Sequence, residues 1–279
     1  MRRTPPYKLL SIDFDFFFPD LFHYDWGSSE SSFFINGLWH LRAGNRNLKT
    51  KEIAIEAVRP DETLLRGFWE KIIDTHKSTP WQIVISESHL DIMHLLKMYP
   101  ACDVLNFDAH HDLGYEDTCK NTIDCSNWAA YGLALGLINH YRLRYPSWRK
   151  EHPEGCPKEV KELVKMAEYG LPKFIREIDI IFVCRSGAWT PPWSDDKWLE
   201  FINGLREINP IVWNQRIVLR NADLPREFDA KEAMRNADLF KIASDYVIAD
   251  NKNRAEEAEK TDATNREKKP VKTLKKAIK

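Results

Sequence analysis

Short continuous apolar runs alternate along the chain with stretches whose apolar residues recur every three or four positions. Leu9 to Phe14, Gln82 to Ile85, Val104 to Phe107 and Ile178 to Cys184 are runs of strand length. Asp61 to His76 has helical spacing, with Leu64, Leu65, Phe68, Ile72 and Ile73 on one broad face. Leu90 to Met98 and the strongly apolar Trp128 to Tyr141 are read as buried helices, and Lys158 to Glu168 as an amphipathic one after Pro157. Ser194 is placed to cap a helix carrying Trp198, Phe201, Ile202 and Leu205, with Asp195 and Asp196 in its first turn. Ile211 to Leu219 is β-prone but contains Asn214, Gln215 and Arg216, which suits an edge strand, and Asp229 with Glu232 has capping-box spacing before another helix. Continuous apolar strands separated by helices predict an α/β fold with a mostly parallel sheet covered on both faces.

That alternation extends over residues 1–250, which are expected to form a single α/β domain. An aromatic and serine-rich loop interrupts it between the first strand and about Gly44. From Asn251 to Lys279 there are ten Lys or Arg against five Asp or Glu and no aromatic residue. Such a segment cannot bury enough apolar surface to order itself alone and is read as a charged tail. Lys268, Lys269, Lys272, Lys275, Lys276 and Lys279 could meet an anionic partner or simply keep the chain in solution.

Composition narrows the class. A 279-residue chain with 43% hydrophobic residues supports a sizeable core. No apolar run reaches the length of a bilayer span, and Met1 to Lys8 lacks the apolar stretch of a secretory signal, so a cytoplasmic protein is expected. A net charge of -1 gives no basic footprint for sequence-specific nucleic-acid binding. Cys102, Cys119, Cys125, Cys156 and Cys184 are odd in number and match no paired-cysteine zinc spacing; reduced thiols are expected. Ten tryptophans and fourteen phenylalanines suit either a large aromatic core or an aromatic-lined pocket.

Two strands end in the same chemistry. Leu9-Leu10-Ser11-Ile12-Asp13-Phe14-Asp15 and Val104-Leu105-Asn106-Phe107-Asp108-Ala109-His110-His111-Asp112 each run from apolar residues into metal-ligand types. Residues two apart on a strand face the same side, so Asp13 with Asp15, and Asp108 with His110, can each serve one site. Asp112 can curl back toward it as the chain leaves the sheet. His89, in Ser86-Glu87-Ser88-His89-Leu90-Asp91, follows a third strand and could reach the same crevice; a local surface histidine is the plain alternative. Carboxylates beside a packed sheet are costly unless paired or metal-bound. The set Asp13, Asp15, His89, Asp108, His110 and Asp112 offers four negative charges for two divalent cations. Mixed nitrogen and carboxylate donors suit Mn2+, with Zn2+ or Fe2+ as alternatives.

These residues resemble the arginase/agmatinase/deacetylase superfamily. Asp108 to Asp112 matches its Asp-Ala-His-x-Asp segment, and Ser11-Ile12-Asp13-Phe14-Asp15 its Ser-x-Asp-x-Asp strand end. His89 corresponds to a histidine that enters from a separate loop, although Ser86-Glu87-Ser88-His89 stands where the family has Gly-Gly-Asp-His. The order of the motifs is also reversed, which marks the chain as an outlying member. The resemblance implies a three-layer sandwich, a dinuclear manganese centre and a hydroxide that attacks a guanidinium carbon; other branches cleave amides at one zinc.

The expected activity is metal-dependent hydrolysis of a non-peptide C–N bond in a small guanidino, ureido or acylamino compound. Asp112 could also hydrogen-bond the hydroxide. His111 is either a packed histidine or a proton-transfer group, and His23 and His40 are alternative shuttles. Arg185, after the strand Ile180 to Cys184, could clamp a substrate carboxylate or make an ion pair. Trp189 and Trp193 could frame the pocket mouth or pack on the core, and Asn127 could touch substrate beside a capping Ser126. Two other readings stay open: a phosphatase using Asp13 and Asp15 or a two-metal centre, and a metal-stabilised scaffold without catalysis. Self-association is equally open.

Overall fold

The computed structural model describes residues 6–19, 58–73, 80–115, 122–151 and 177–229, together with Glu30, Ile35, Leu38, Trp39 and Glu154. The proposed helices at 158–168 and after Asp229, the shuttles His23 and His40, Cys119 and Cys156, and the lysine-rich tail lie outside the described residues.

Six strands, β1 (Lys8–Asp13), β2 (Gln82–Ser86), β3 (Cys102–Phe107), β4 (Ile138–Arg144), β5 (Ile180–Cys184) and β6 (Ile217–Val218), form one sheet in the order β4-β3-β1-β5-β2-β6. Every pairing is parallel. The α-helices described in full are α1 (Glu62–Leu65), α2 (Phe68–Ile72), α3 (Ile92–Met98), α4 (Trp128–Ala134), α5 (Asp195–Ile208) and α6 (Pro210–Asn214).

The period of two along each strand sorts the core into two layers. Leu10, Ile12, Leu105, Phe107, Ile181 and Val183 face Phe68, Trp69, Trp198, Phe201 and Trp213 of α2, α5 and α6. Leu9, Val104, Ile180 and Phe182 face Ile92, Met93, Leu96 and Trp128 of α3 and α4. The result is the expected three-layer α/β architecture with a parallel central sheet. From β1 the chain goes to β2 on one side and to β3 on the other. The carboxyl end of β1 is therefore where a crevice opens in such a sheet.

Several elements depart from the sequence pattern. The helix expected over Asp61 to His76 is broken into α1 and α2 by Gly67, whose φ of 62° is left-handed. The apolar stretch from Trp128 to Tyr141 is not one helix. It turns at Gly136 (φ 67°) and continues as edge strand β4, so Ile138, Tyr141 and Leu143 reach the core from a strand. Ile211 to Leu219 divides into α6, begun by Pro210 and capped by Asn209, and the two-residue edge strand β6. Ser194 precedes α5 but makes no side-chain cap bond. Cys102, Cys125 and Cys184 are free thiols. No helix among the described residues is long and apolar enough to cross a membrane.

Candidate metal centre

The carboxyl ends of β1 and β3 and the turn after β2 bring all six proposed ligands into one buried region. Asp13 ends β1 on the face that carries Ser11, and its side chain caps the 3₁₀ turn Phe14–Phe17 by accepting from Asp15 N at 3.0 Å. That turn buries Phe14, Phe16 and Phe17 and fixes Asp15 beside the β3 end, where Asp15 Oδ1 accepts from Ala109 N at 3.2 Å. Asp108 follows β3, its Oδ1 accepting from His110 N at 2.7 Å and its Oδ2 from Asn106 Nδ2 at 2.9 Å. Asp112 has φ 54°, a left-handed backbone that Asp tolerates better than most residues. Its carbonyl accepts from Ala129 N at 3.1 Å and its Oδ2 from the Trp128 indole at 2.5 Å, so the first turn of α4 holds this reversal in place.

His89 opens a 3₁₀ turn after β2 with Ser88 as its cap. Its ring lies between Phe182, at 5.8 Å and nearly parallel, and Trp128, at 4.9 Å. Nε2 is 2.8 Å from Ser11 Oγ. Nδ1 stands 3.1 Å from Asp13, 3.2 Å from Asp108 and 3.2 Å from Asp112. Despite three carboxylate oxygens at this distance, none completes a hydrogen bond with Nδ1, a buried nitrogen with no such partner among the described residues. On the other side of Asp108, His110 Nδ1 is 2.8 Å from Asp15 and 3.8 Å from Asp108. Two triads therefore arise, Asp13–His89–Asp108 and Asp15–Asp108–His110. In each, the donor atoms lie within 4.8 Å of one another, and Asp108 is common to both.

Burial and mutual crowding set the electrostatics of this cluster. Burial pushes the Asp13 carboxyl well above the usual carboxylate range, and Asp15 and Asp108 push it further. Asp108 is raised in the same way by burial, Asp112 and Asp15, and Asp112 by burial. Burial opposes a charge on His89, but the nearby carboxylates of Asp108, Asp112 and Asp13 outweigh it and raise the imidazole well above its ordinary range. At His110 burial is likewise outweighed, by Asp15, and the group is pushed up to about 10. Of these four aspartates, Asp15 is the one held below its ordinary value, His110 prevailing over the cost of burial. Two imidazoles with raised pKa values thus stand among the four carboxylates, where divalent ions could balance the charge. The donor set, the unsatisfied Nδ1 and the shared Asp108 fit two hard or borderline divalent ions.

The remaining proposed site residues are placed differently. His111 is buried, stacks on Tyr115 at 4.4 Å, and accepts from Leu113 N at Nδ1 (3.1 Å). Burial holds it below the ordinary imidazole range, so it is neutral with its proton on Nε2, an atom with no partner among the described residues. Arg185, expected either as a substrate clamp or in an ion pair, lies in the interior. It is 2% exposed, its Nε and Nη2 donate to Glu87, and its Nη1 donates to Asp195 and to Leu224 O. The ion-pair alternative describes it, in the interior. Asn127 and Ser126 are bound into the turn around Asp124 and Thr122. Trp189 lies against His110 at 5.0 Å, whereas Trp193 packs on Trp39 and Phe228.

Three supporting groups were not anticipated. Ser11 and Asn106 each sit two residues before a ligand on the same strand face, so the period of two was the signal that could have found them. Glu30 had no such signal, because nothing in its local sequence points to partners 58 or more residues away.

Comparison with known protein families, with characterised proteins and with solved structures gives no match to this chain.

Proposed function

We propose that this chain is a metal-dependent hydrolase of a small guanidino, ureido or acylamino compound, with two divalent ions, Mn2+ first among them, held by Asp13, Asp15, His89, Asp108, His110 and Asp112. The observation that carries the reading is the unsatisfied His89 Nδ1 facing Asp13, Asp108 and Asp112 at 3.1–3.2 Å, next to a second triad that shares Asp108. When bound, such a pair supplies a hydroxide at neutral pH and positive charge for a developing oxyanion.

The chain's own groups have separable parts. Asp108 belongs to both triads and would be shared, while Asp13 and Asp112 would complete the His89 side and Asp15 the His110 side. With His89 Nε2 donating to Ser11 Oγ, 2.8 Å away, Nδ1 would keep the lone pair that a ligand needs. The neutral His111, with its proton at Nε2, is the candidate donor to a departing nitrogen. The ring of Trp189 against His110 gives the site an apolar wall that limits water.

The test is metal analysis of chelator-stripped protein reloaded with Mn2+ or Zn2+, followed by turnover of guanidino, ureido, acylamino and phosphomonoester compounds. Two ions per chain and release of amine or urea are expected, and Asp108→Ala should lose both ions. Full metal content in Asp108→Ala would falsify the shared site. Turnover of the phosphomonoester alone would replace the C–N reading.

A further inference from the structure

Glu30 lies 58 residues before Ser88 in sequence and is 6% exposed, and its carboxylate meets the turn that carries His89 as well as Ser186 and Cys125. Its Oε2 accepts from Ser88 Oγ at 2.5 Å and from the backbone N of His89 at 3.1 Å. Its Oε1 accepts from Ser186 Oγ at 3.1 Å. Ser88 Oγ in turn accepts from Leu90 N at 3.3 Å. The first N–H groups of a helical turn have no internal partner, and here the His89 N–H is satisfied by a carboxylate delivered from outside the turn. The Glu30 carbonyl also takes a bond from Arg220 Nη1 at 3.1 Å. Arg220 grips both oxygens of Asp91 at 2.8 and 2.9 Å, and Asp91 accepts from Ser86 Oγ at 2.5 Å. The segment from Ser86 to Asp91 is thus held at both ends, with His89 in its middle.

We infer that Glu30 is a positioning residue for the metal ligand His89: by fixing the His89 backbone and the Ser88 hydroxyl against the end of β5, it holds Nδ1 at the meeting point of Asp13, Asp108 and Asp112. The inference rests on the metal reading above for its consequence, but the placement of the ring can be read without metal. Groups that orient a metal ligand in this way typically change affinity ~10–100-fold when removed.

The experiment uses the full chain and the variants Glu30→Ala, Glu30→Gln and Ser88→Ala. In the metal-free state, histidine 1H–15N spectra report the His89 Nε2–H held by Ser11. In Co2+ titrations, His89→Ala and His110→Ala identify the two sites. Glu30→Ala should shift or broaden the His89 signal and weaken the His89-side site ~10–100-fold while leaving the His110-side site unchanged. Glu30→Gln, which keeps an acceptor for the Ser88 and His89 donors, should restore both. Ser88→Ala should weaken the same site, and it keeps the inference testable if Glu30→Ala does not fold. An unmoved His89 signal in Glu30→Ala, or equal weakening of both sites, overturns the inference. A wild-type chain that binds no Co2+ or Mn2+ removes the metal reading instead, and the histidine spectra alone then decide the role of Glu30.

Discussion

At Asp112 the backbone and the side chain make opposite demands. The carboxylate must return toward His89, and only a left-handed residue at φ 54° turns the chain that way before α4. A β-carbon in this conformation costs roughly 1 kcal/mol, which glycine avoids. Asp112→Ala and Asp112→Gly therefore remove the same ligand but differ in backbone strain. In urea denaturation of the metal-free protein, the glycine variant should be the more stable by about 1 kcal/mol, the reverse of the usual order. Metal affinity should fall alike in both. An alanine variant as stable as the glycine one would mean that the reversal is not what positions the carboxylate. At this scale the sequence was most informative: Asp13, Asp15, Asp108 and His110 declare themselves because they follow apolar runs at intervals of two. His89 was legible as a candidate, but its tautomer partner Ser11 became apparent only when β1 and the turn after β2 were side by side.

Elements are held in register around the crevice by buried ion pairs. Beyond the end of β5, Arg185 joins Glu87 from the β2 end to Asp195 at the start of α5, and Arg226 adds a second guanidinium to Asp195. Gly187 belongs to this arrangement, since a β-carbon there would meet Glu87 Oε1 at 1.7 Å. Removing one partner of a buried pair strands the others and typically costs about 3–5 kcal/mol. Arg185→Ala should lower stability by about that amount while retaining two metal ions per chain; loss of metal with stability intact would return Arg185 to the site. A strand followed by Arg-Ser-Gly does not distinguish a substrate clamp from an interior ion pair, because the partners come from β2 and α5. The same limit explains α4 and β4. Local apolar content reads as helix through Tyr141, and the break depends on Gly136 and on a vacant edge beside β3.

For the whole molecule, the four buried carboxylates make metal and protons competitors. Without metal, His89 and His110 have raised pKa values, His110 about 10, so their contribution is complete below the ordinary imidazole value and disappears as pH rises through the folded values. The raised Asp13, Asp108 and Asp112 act in the same direction, because ionising them beside one another opposes folding. The metal-free chain should therefore lose stability between roughly pH 6.5 and 10. Cations that displace those protons bind more tightly over the same range. The rise in Tm on adding Mn2+ should be larger at pH 8.5 than at pH 6.5, and calorimetry should record proton release on binding. A pH-independent shift in Tm would mean that the ions bind elsewhere.

The alternation of apolar strands with helical stretches was sufficient to determine an α/β chain with a parallel sheet, because burial on both faces leaves a continuous apolar signature. The period of two likewise marked which carboxylates share a side. Tertiary structure decided what those groups meet: Nδ1 of His89 among three aspartates, Glu30 on the His89 backbone, and Arg185 in the interior. The physical reason is range. Strand and helix patterns express contacts between near neighbours, whereas electrostatic satisfaction in a buried site depends on atoms that come together only when β1, β2, β3 and β5 lie side by side.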